Sequence, residues 1–288
     1  MNAEELHELD LAHWVAAAPA NQRRFRQAVH IVLMTISTSV GLRSRMIMKG
    51  GLLMAIRYDS SRFTKDIDFS THEMWSSADQ EALLAELEAQ LEWTNQQLPY
   101  DIVCRLQGAI LSPANQVGSF PALKLSIGYA SRSNPSHMAR LKAGMSPDVV
   151  KIDHSYNEAV YDVEVLSLQG GEQLQTYGLC NLIAEKYRAL LQQPLRHRNR
   201  RQDVYDLYLL LCRCAPLSDH ERMQIAGYIL KSCASRGLEA NTRSISDAQI
   251  KAMAASEYAG LADDIGDDLP AFEESFARIE SFYLELPW

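Results

Sequence analysis

Asp66-Ile67-Asp68-Phe69 places two carboxylates two residues apart inside an apolar run. In a strand, successive side chains point to opposite faces. Asp66 and Asp68 therefore share one face, with Ile67 and Phe69 on the other. Two carboxylates on one face repel unless something positive lies between them, and a divalent cation meets that need. Mg²⁺ is a hard ion that takes oxygen ligands, usually one or two carboxylates together with phosphate oxygens and water. A lone D-x-D is short and common, and an edge strand with one solvated face accounts for it equally well. The neighbours shift the weight. Lys49-Gly50-Gly51 falls between a strand-like and a helix-like run. Glycines let backbone N–H groups come close to a phosphate, and a helix N-terminus adds positive potential. Arg62 and Lys65 stand just before the aspartates, suited either to bind phosphate or to neutralise them.

A second constellation spans residues 179–211. Leu179, Leu182, Ile183 and Leu190 make a packing face, and Lys186 lies off its centre. A dense basic run follows, Arg196-His197-Arg198-Asn199-Arg200-Arg201, then Asp203 and Asp206 one turn apart at a helix start. Asp203 there suits a helix cap and Asp206 a partner for Arg200 or Arg201. The basic run reads as a solvated loop or as a contact for triphosphate or an RNA backbone.

These residues need elements to position them. Periodicity predicts a helix over 20–40 ended by Gly41, a strand over 46–48, a helix over 52–58 and a strand over 64–70. A helix over 77–97 has Leu83, Leu84, Leu87 and Leu91 on one face. Strands follow over 101–107, 120–129 and 160–166, with the polar stretch 130–148 as an excursion or loop. Beyond about residue 175 the pattern is helical, over 179–191, 203–212, 219–235, 246–258 and 271–285. Gly170-Gly171 marks the expected boundary between residues 1–170 and a helical lobe, 171–288.

A net charge of −8 argues against a generally basic nucleic-acid binder, so any such contact must be local. The five cysteines include no C-x-x-C pair and read as free thiols of a reduced compartment. No histidine shows zinc-ligand spacing, and the four tryptophans are too scattered for a base-stacking platform. The acidic opening residues do not read as a signal peptide, and no apolar run is long enough to span a bilayer. The expectation is a soluble cytoplasmic protein.

Together, K-G-G at 49–51, R-x-T-x-D-I-D-F at 62–69, A-E-K-x-x-A-L at 184–190 and R-x-D-x-x-D-L at 201–207 resemble the AbiEii/AbiGii toxin family of nucleotidyltransferases, a branch of the DNA polymerase β-like superfamily. The resemblance covers roughly residues 46–211. It implies an α+β fold, with a polymerase β-like nucleotidyltransferase lobe built on a mixed sheet and followed by an all-helical lobe. It also implies a toxin of a toxin–antitoxin or phage-defence pair that transfers NMP from an NTP to an RNA acceptor, with the tRNA 3′ end expected, to block translation. Transfer to a protein side chain and a non-catalytic nucleotide- or antitoxin-binding module are the alternatives. Implied partners are NTP, tRNA and a cognate antitoxin. The implied cofactor is Mg²⁺, with Mn²⁺ as a substitute.

Carried over, Asp66 and Asp68 hold the metal, and Lys49, Gly50, Gly51, Arg62, Lys65 and Arg201 surround the nucleotide. Lys186 contacts its phosphates, and Asp203 is a further carboxylate and candidate base. Two departures stand out. Ser126 occupies a place where relatives commonly show Asp, leaving Asp162 or Glu164 as candidates for a third carboxylate. Leu52 follows the glycines where many relatives have Thr or Ser.

Overall fold

The computed structural model describes residues 8–114, 120–214 and 216–288. The acidic opening residues 1–7 lie outside the described residues. The chain divides into two compact units. Residues up to Arg57 together with Thr64–Tyr177 form the first, and Tyr58–Phe63 with Gly178–Trp288 form the second. The division falls after the last strand rather than at the Gly170-Gly171 turn. Residues 173–177 are hydrogen-bonded into the sheet, and the two glycines lie in the hairpin turn before them at φ 114° and 94°.

The first unit contains α1 (Leu11–Ala16), α2 (Arg23–Thr38), α3 (Val40–Arg45), β1 (Ile47–Lys49), α4 (Gly50–Arg57), β2 (Asp66–Ser70) and α5 (Ser77–Gln97). It continues with β3 (Ile102–Ser112), β4 (Ala122–Ser131), α6 (Pro135–Lys142), β5 (Val149–Ser155), β6 (Val163–Ser167) and β7 (Gln173–Tyr177). The seven strands form one mixed sheet in the order β3-β4-β5-β2-β1-β7-β6. β2 runs parallel to β5 and β1 parallel to β7, and the other pairs are antiparallel. Period-2 alternation gives the central strands an apolar face made by Ile67, Phe69, Leu125, Leu123, Val150 and Ile152, all buried. α2 packs on this unit's strands β3, β5 and β7, and α5 packs on α2, α3 and β3. The carboxylates and lysines of β1, β2, β4 and β5 are left on the other face.

The sheet differs from expectation in instructive places. The 130–148 stretch contains α6, which Asn134 caps by accepting from His137 N–H, with Pro135 in the first turn. Two strands, β5 and β7, are additional. Gly41 does not end α2. Ser39 does, and its side chain caps α3 by accepting from Leu42 N–H. Gly41 sits inside α3, where a Cβ would press on the Glu86 carboxylate, its Cδ 2.8 Å away.

The second unit is helical: α7 (Leu179–Leu191), α8 (Gln193–Arg196), α9 (Arg201–Arg213), α10 (Asp219–Ala234), α11 (Ala248–Ala255), α12 (Ala262–Ile265) and α13 (Phe272–Leu284). α7 is buried along most of its length and packs on α9 and α10, while α13 packs on α9. Tyr187 anchors this core. Its hydroxyl donates to Ile279 O at 2.8 Å, and its ring lies against Phe282 and Tyr283. Ser218 and Glu221 form a capping box that starts α10. Pro194 does not simply stop α7, because it opens the short α8. The five cysteines are free. Among the described residues, no helix is long and apolar enough to cross a membrane.

Candidate active site

In the first unit, strand register assembles the site. Lys49 on β1 pairs with Asp68 on β2, Asp68 with Asp153 on β5, and Asp153 with Lys124 on β4. Register partners point to the same face. A single row therefore crosses four strands as Lys49, Asp68, Asp153 and Lys124. Adjacent strands lie about 4.8 Å apart, so the two central carboxylates are immediate neighbours. Directly opposed like charges destabilise a sheet unless a cation is shared between them. A second row, one pleat along, is Asp66, Lys151 and Ser126.

The Gly50 backbone closes one side of this arrangement. Gly50 has φ 73°, a left-handed value that glycine adopts without strain. A Cβ there would overlap the Asp68 carboxylate, whose Cγ would be 2.8 Å away. The Asp68 carboxylate thus lies against the first residue of α4, where unbonded backbone N–H groups concentrate. Gly51 follows in the same helical turn. Lys49 is 8 % exposed, and its ammonium lies 5.6 Å from the centre of the Tyr177 ring. Lys65 and Asp66 are exposed at the start of β2.

Asp153 was not among the residues expected from sequence, and it changes the reading of the third carboxylate. Ser126 lies on β4, two strands from β2, so a carboxylate there would fall in the row of Asp66 and Lys151 and not beside Asp68. Glu164 lies on β6 at the far edge of the sheet, where Arg57 binds it. Asp162 precedes that strand, and its carboxyl is pushed up by burial and by Glu164. On β5, the strand next to β2, Asp153 is the carboxylate that stands beside Asp68. Alternation in Val150-Lys151-Ile152-Asp153-His154 carries the signal, with Val150, Ile152 and His154 buried.

These donors are all carboxylate oxygens. Among the described residues, no three His, Cys, Asp or Glu side chains close into a metal cage. That set suits a hard cation such as Mg²⁺, which is ordinarily held by one or two carboxylates and completed by phosphate oxygens and water. It does not suit a zinc-type ion that demands four protein ligands.

The second unit holds a separate ionic cluster built from residues distant in sequence. Asp206 is buried and accepts from Lys186 Nζ at 2.6 Å and from Arg62 Nη2 and Nε at 2.9 and 3.2 Å. Lys186 Nζ also reaches Asp203 at 3.4 Å. Burial alone would raise the Asp206 carboxyl, but Lys186 and Arg62 outweigh it and hold it below the ordinary carboxylate value. Burial likewise opposes the Lys186 charge, yet Asp206 and Asp203 keep its ammonium raised above normal. Arg62 is thus engaged by Asp206. Asp206 pairs with Arg62 and Lys186, in place of the expected Arg200 or Arg201, because the α9 face that buries it turns inward. Arg201 binds the carboxylate of Glu257 at 3.0 Å.

Comparison with known proteins now decides the family. Residues 33–279 match the family described as nucleotidyl transferase AbiEii toxin, type IV toxin–antitoxin system. The chain belongs to the AbiEii family. Membership makes it a nucleotidyl transferase toxin of a toxin–antitoxin system, a family that uses a nucleotide and comes with an antitoxin. No curated protein matches it in sequence. Among solved structures, JHP933 from Helicobacter pylori is 15% identical, with a TM-score of 0.49, over 93% of this chain and 92% of that one. A second H. pylori structure, provisionally named a nucleotidyltransferase, is 14% identical with a TM-score of 0.47, over 92% and 94%.

Proposed function

We propose that this AbiEii chain is a Mg²⁺-dependent nucleotidyltransferase that joins the NMP of an NTP to a hydroxyl of RNA, with the tRNA 3′ end as acceptor. The acceptor oxygen bonds to the α-phosphorus, the bond from that phosphorus to the bridging oxygen breaks, and pyrophosphate leaves with the electron pair. The hydroxyl proton passes to a carboxylate. The observation that carries this reading is the row Lys49, Asp68, Asp153, Lys124 lying against the Gly50 backbone.

Asp68 and Asp153, the two facing carboxylates, would hold the metal, which when bound neutralises charge on the phosphates, with Asp66 one pleat along on the same face. The other contributions are the chain's own. Lys49 offsets the paired carboxylates. Gly50 and Gly51 open α4, whose N-terminal backbone N–H groups would stabilise phosphate charge beside the Asp68 carboxylate. Lys186 and Asp203 are proposed as the phosphate contact and further carboxylate that the family pattern implies. Their support is the ionic cluster in which Lys186 Nζ reaches Asp203 at 3.4 Å.

The test is incubation with Mg²⁺, total tRNA and each α-phosphate-labelled NTP in turn, with Asp68→Asn as control. Label on tRNA that the control lacks is the expected result. Label only on protein, or no label with any nucleotide, overturns the RNA-acceptor reading.

A further inference from the structure

The basic run 196–201 separates into two halves in the fold. Arg200 and Arg201 are engaged internally, with Arg200 3.9 Å from Asp203 and Arg201 on Glu257. Arg196 and Arg198 are exposed, and neither side chain has a partner among the described residues. Between them His197 is also exposed, at a left-handed φ of 49°.

One buried side chain holds the loop that carries them. Gln193 is 1 % exposed. Its Nε2 donates to Leu190 O at 3.1 Å and to Ile250 O at 3.2 Å, and its Oε1 accepts from Arg200 N–H at 2.8 Å. Its backbone carbonyl accepts from the N–H groups of His197 and Arg198. Both ends of the loop are therefore tied to one residue, and little backbone freedom remains to be lost when something binds.

We propose that this stapled loop, residues 194–199, is a docking point for the phosphate backbone of RNA, with Arg196 and Arg198 each taking a phosphate. The inference rests on the RNA-acceptor reading above and names where that partner is gripped. The guanidinium fork matches phosphate oxygens bidentately. In a chain of net charge −8, a preformed loop with two unpaired arginines is a local reversal of sign. Such a reversal favours a polyanion held by several phosphates over a single small anion.

The experiment is fluorescence anisotropy of a fluorescein-labelled RNA hairpin with a single-stranded 3′ end, titrated across salt. The full chain carries Asp68→Asn, so binding is read without turnover. Arg196→Ala/Arg198→Ala is expected to reduce the slope of log K against log salt by about 1.4 to 1.8, the loss of two phosphate contacts. Arg140→Ala/Lys142→Ala, an equal charge change at exposed positions of α6, is expected to leave the slope unaltered. An unchanged slope in the loop variant overturns the inference, as does an equal loss in both pairs. So does a loop variant that binds RNA normally and loses only an acidic protein partner. The labelling assay fails or succeeds independently, because this measurement needs no transfer.

Discussion

Asp68 and Asp153 come from strands separated by α5, β3, β4 and α6, yet they stand directly opposite each other in the parallel β2–β5 pair. With Lys49 and Lys124 as their outer neighbours, they form the most charged row on the sheet. The pair is the reason to place the chemistry on this face, and it separates three candidates for the third carboxylate position.

Asp153→Asn and Asp68→Asn should each lower nucleotidyl transfer by at least about 10²–10³-fold, the scale of losing one electrostatic contact to the reacting group. Glu164→Gln and Ser126→Ala should retain activity within a few-fold. Both variants of the row should stay folded, since removing one of two opposed charges relieves repulsion. Initial rates with labelled NTP, alongside melting curves, check this. Full activity in Asp153→Asn would remove that residue from the site.

Much of this site was legible in the sequence, for identifiable reasons. Asp66, Asp68 and the Gly50-Gly51 turn lie close together in the chain, and alternation alone assigns the two aspartates to one face. α5 was legible because its leucines repeat at helical spacing. The strand β5 was not, because its alternation is short and follows directly on a long polar stretch. Asp153 was hidden with it. The Asp206 partner was unreadable for a different reason: Arg62 lies 144 residues away, and only the fold brings them together. Arg201, nearer in sequence, is drawn to Glu257 instead.

Gly50→Ala should impair the enzyme in two ways. A left-handed conformation costs an ordinary residue roughly 1–2 kcal/mol. The new methyl would also displace the Asp68 carboxylate. The expected outcome is a modest drop in melting temperature with a disproportionate loss of transfer. An alanine variant with wild-type turnover would show that Asp68 does not need its present position.

The two ion-pair systems of the helical unit should respond very differently to truncation. Asp206 is buried between Lys186 and Arg62, and its removal leaves two cations with only the longer-range help of Asp203 and, for Arg62, Asp264 among the described residues. Asp206→Ala should therefore cost about 3–5 kcal/mol. Arg201→Ala breaks a pair whose Glu257 is 74% exposed, and the pair should contribute no more than about 1 kcal/mol. Urea denaturation of both variants gives the comparison. Equal costs would contradict the burial of Asp206.

Stability should also fall with acid before the carboxylates titrate, through a group outside the row. His30 is buried in α2, with its Nδ1 2.8 Å from the Tyr100 hydroxyl. Burial, partly opposed by Asp10, pulls its pKa from 6.5 to about 4. Between those values the unfolded chain binds a proton that the folded chain refuses, so stability is fully present above 6.5 and is lost as pH falls toward 4. The loss from this residue amounts to at most roughly 3 kcal/mol. His154, lowered by burial to about 3, adds a second contribution of the same sign. His30→Phe/Tyr100→Phe removes the titrating ring and its hydroxyl partner together, so neither polar group is left orphaned. The double variant should show a visibly flatter decline in unfolding free energy between pH 6.5 and pH 4 than the parent, with the His154 part remaining. Identical slopes in variant and parent would mean that His30 is protonated within the fold, against its burial.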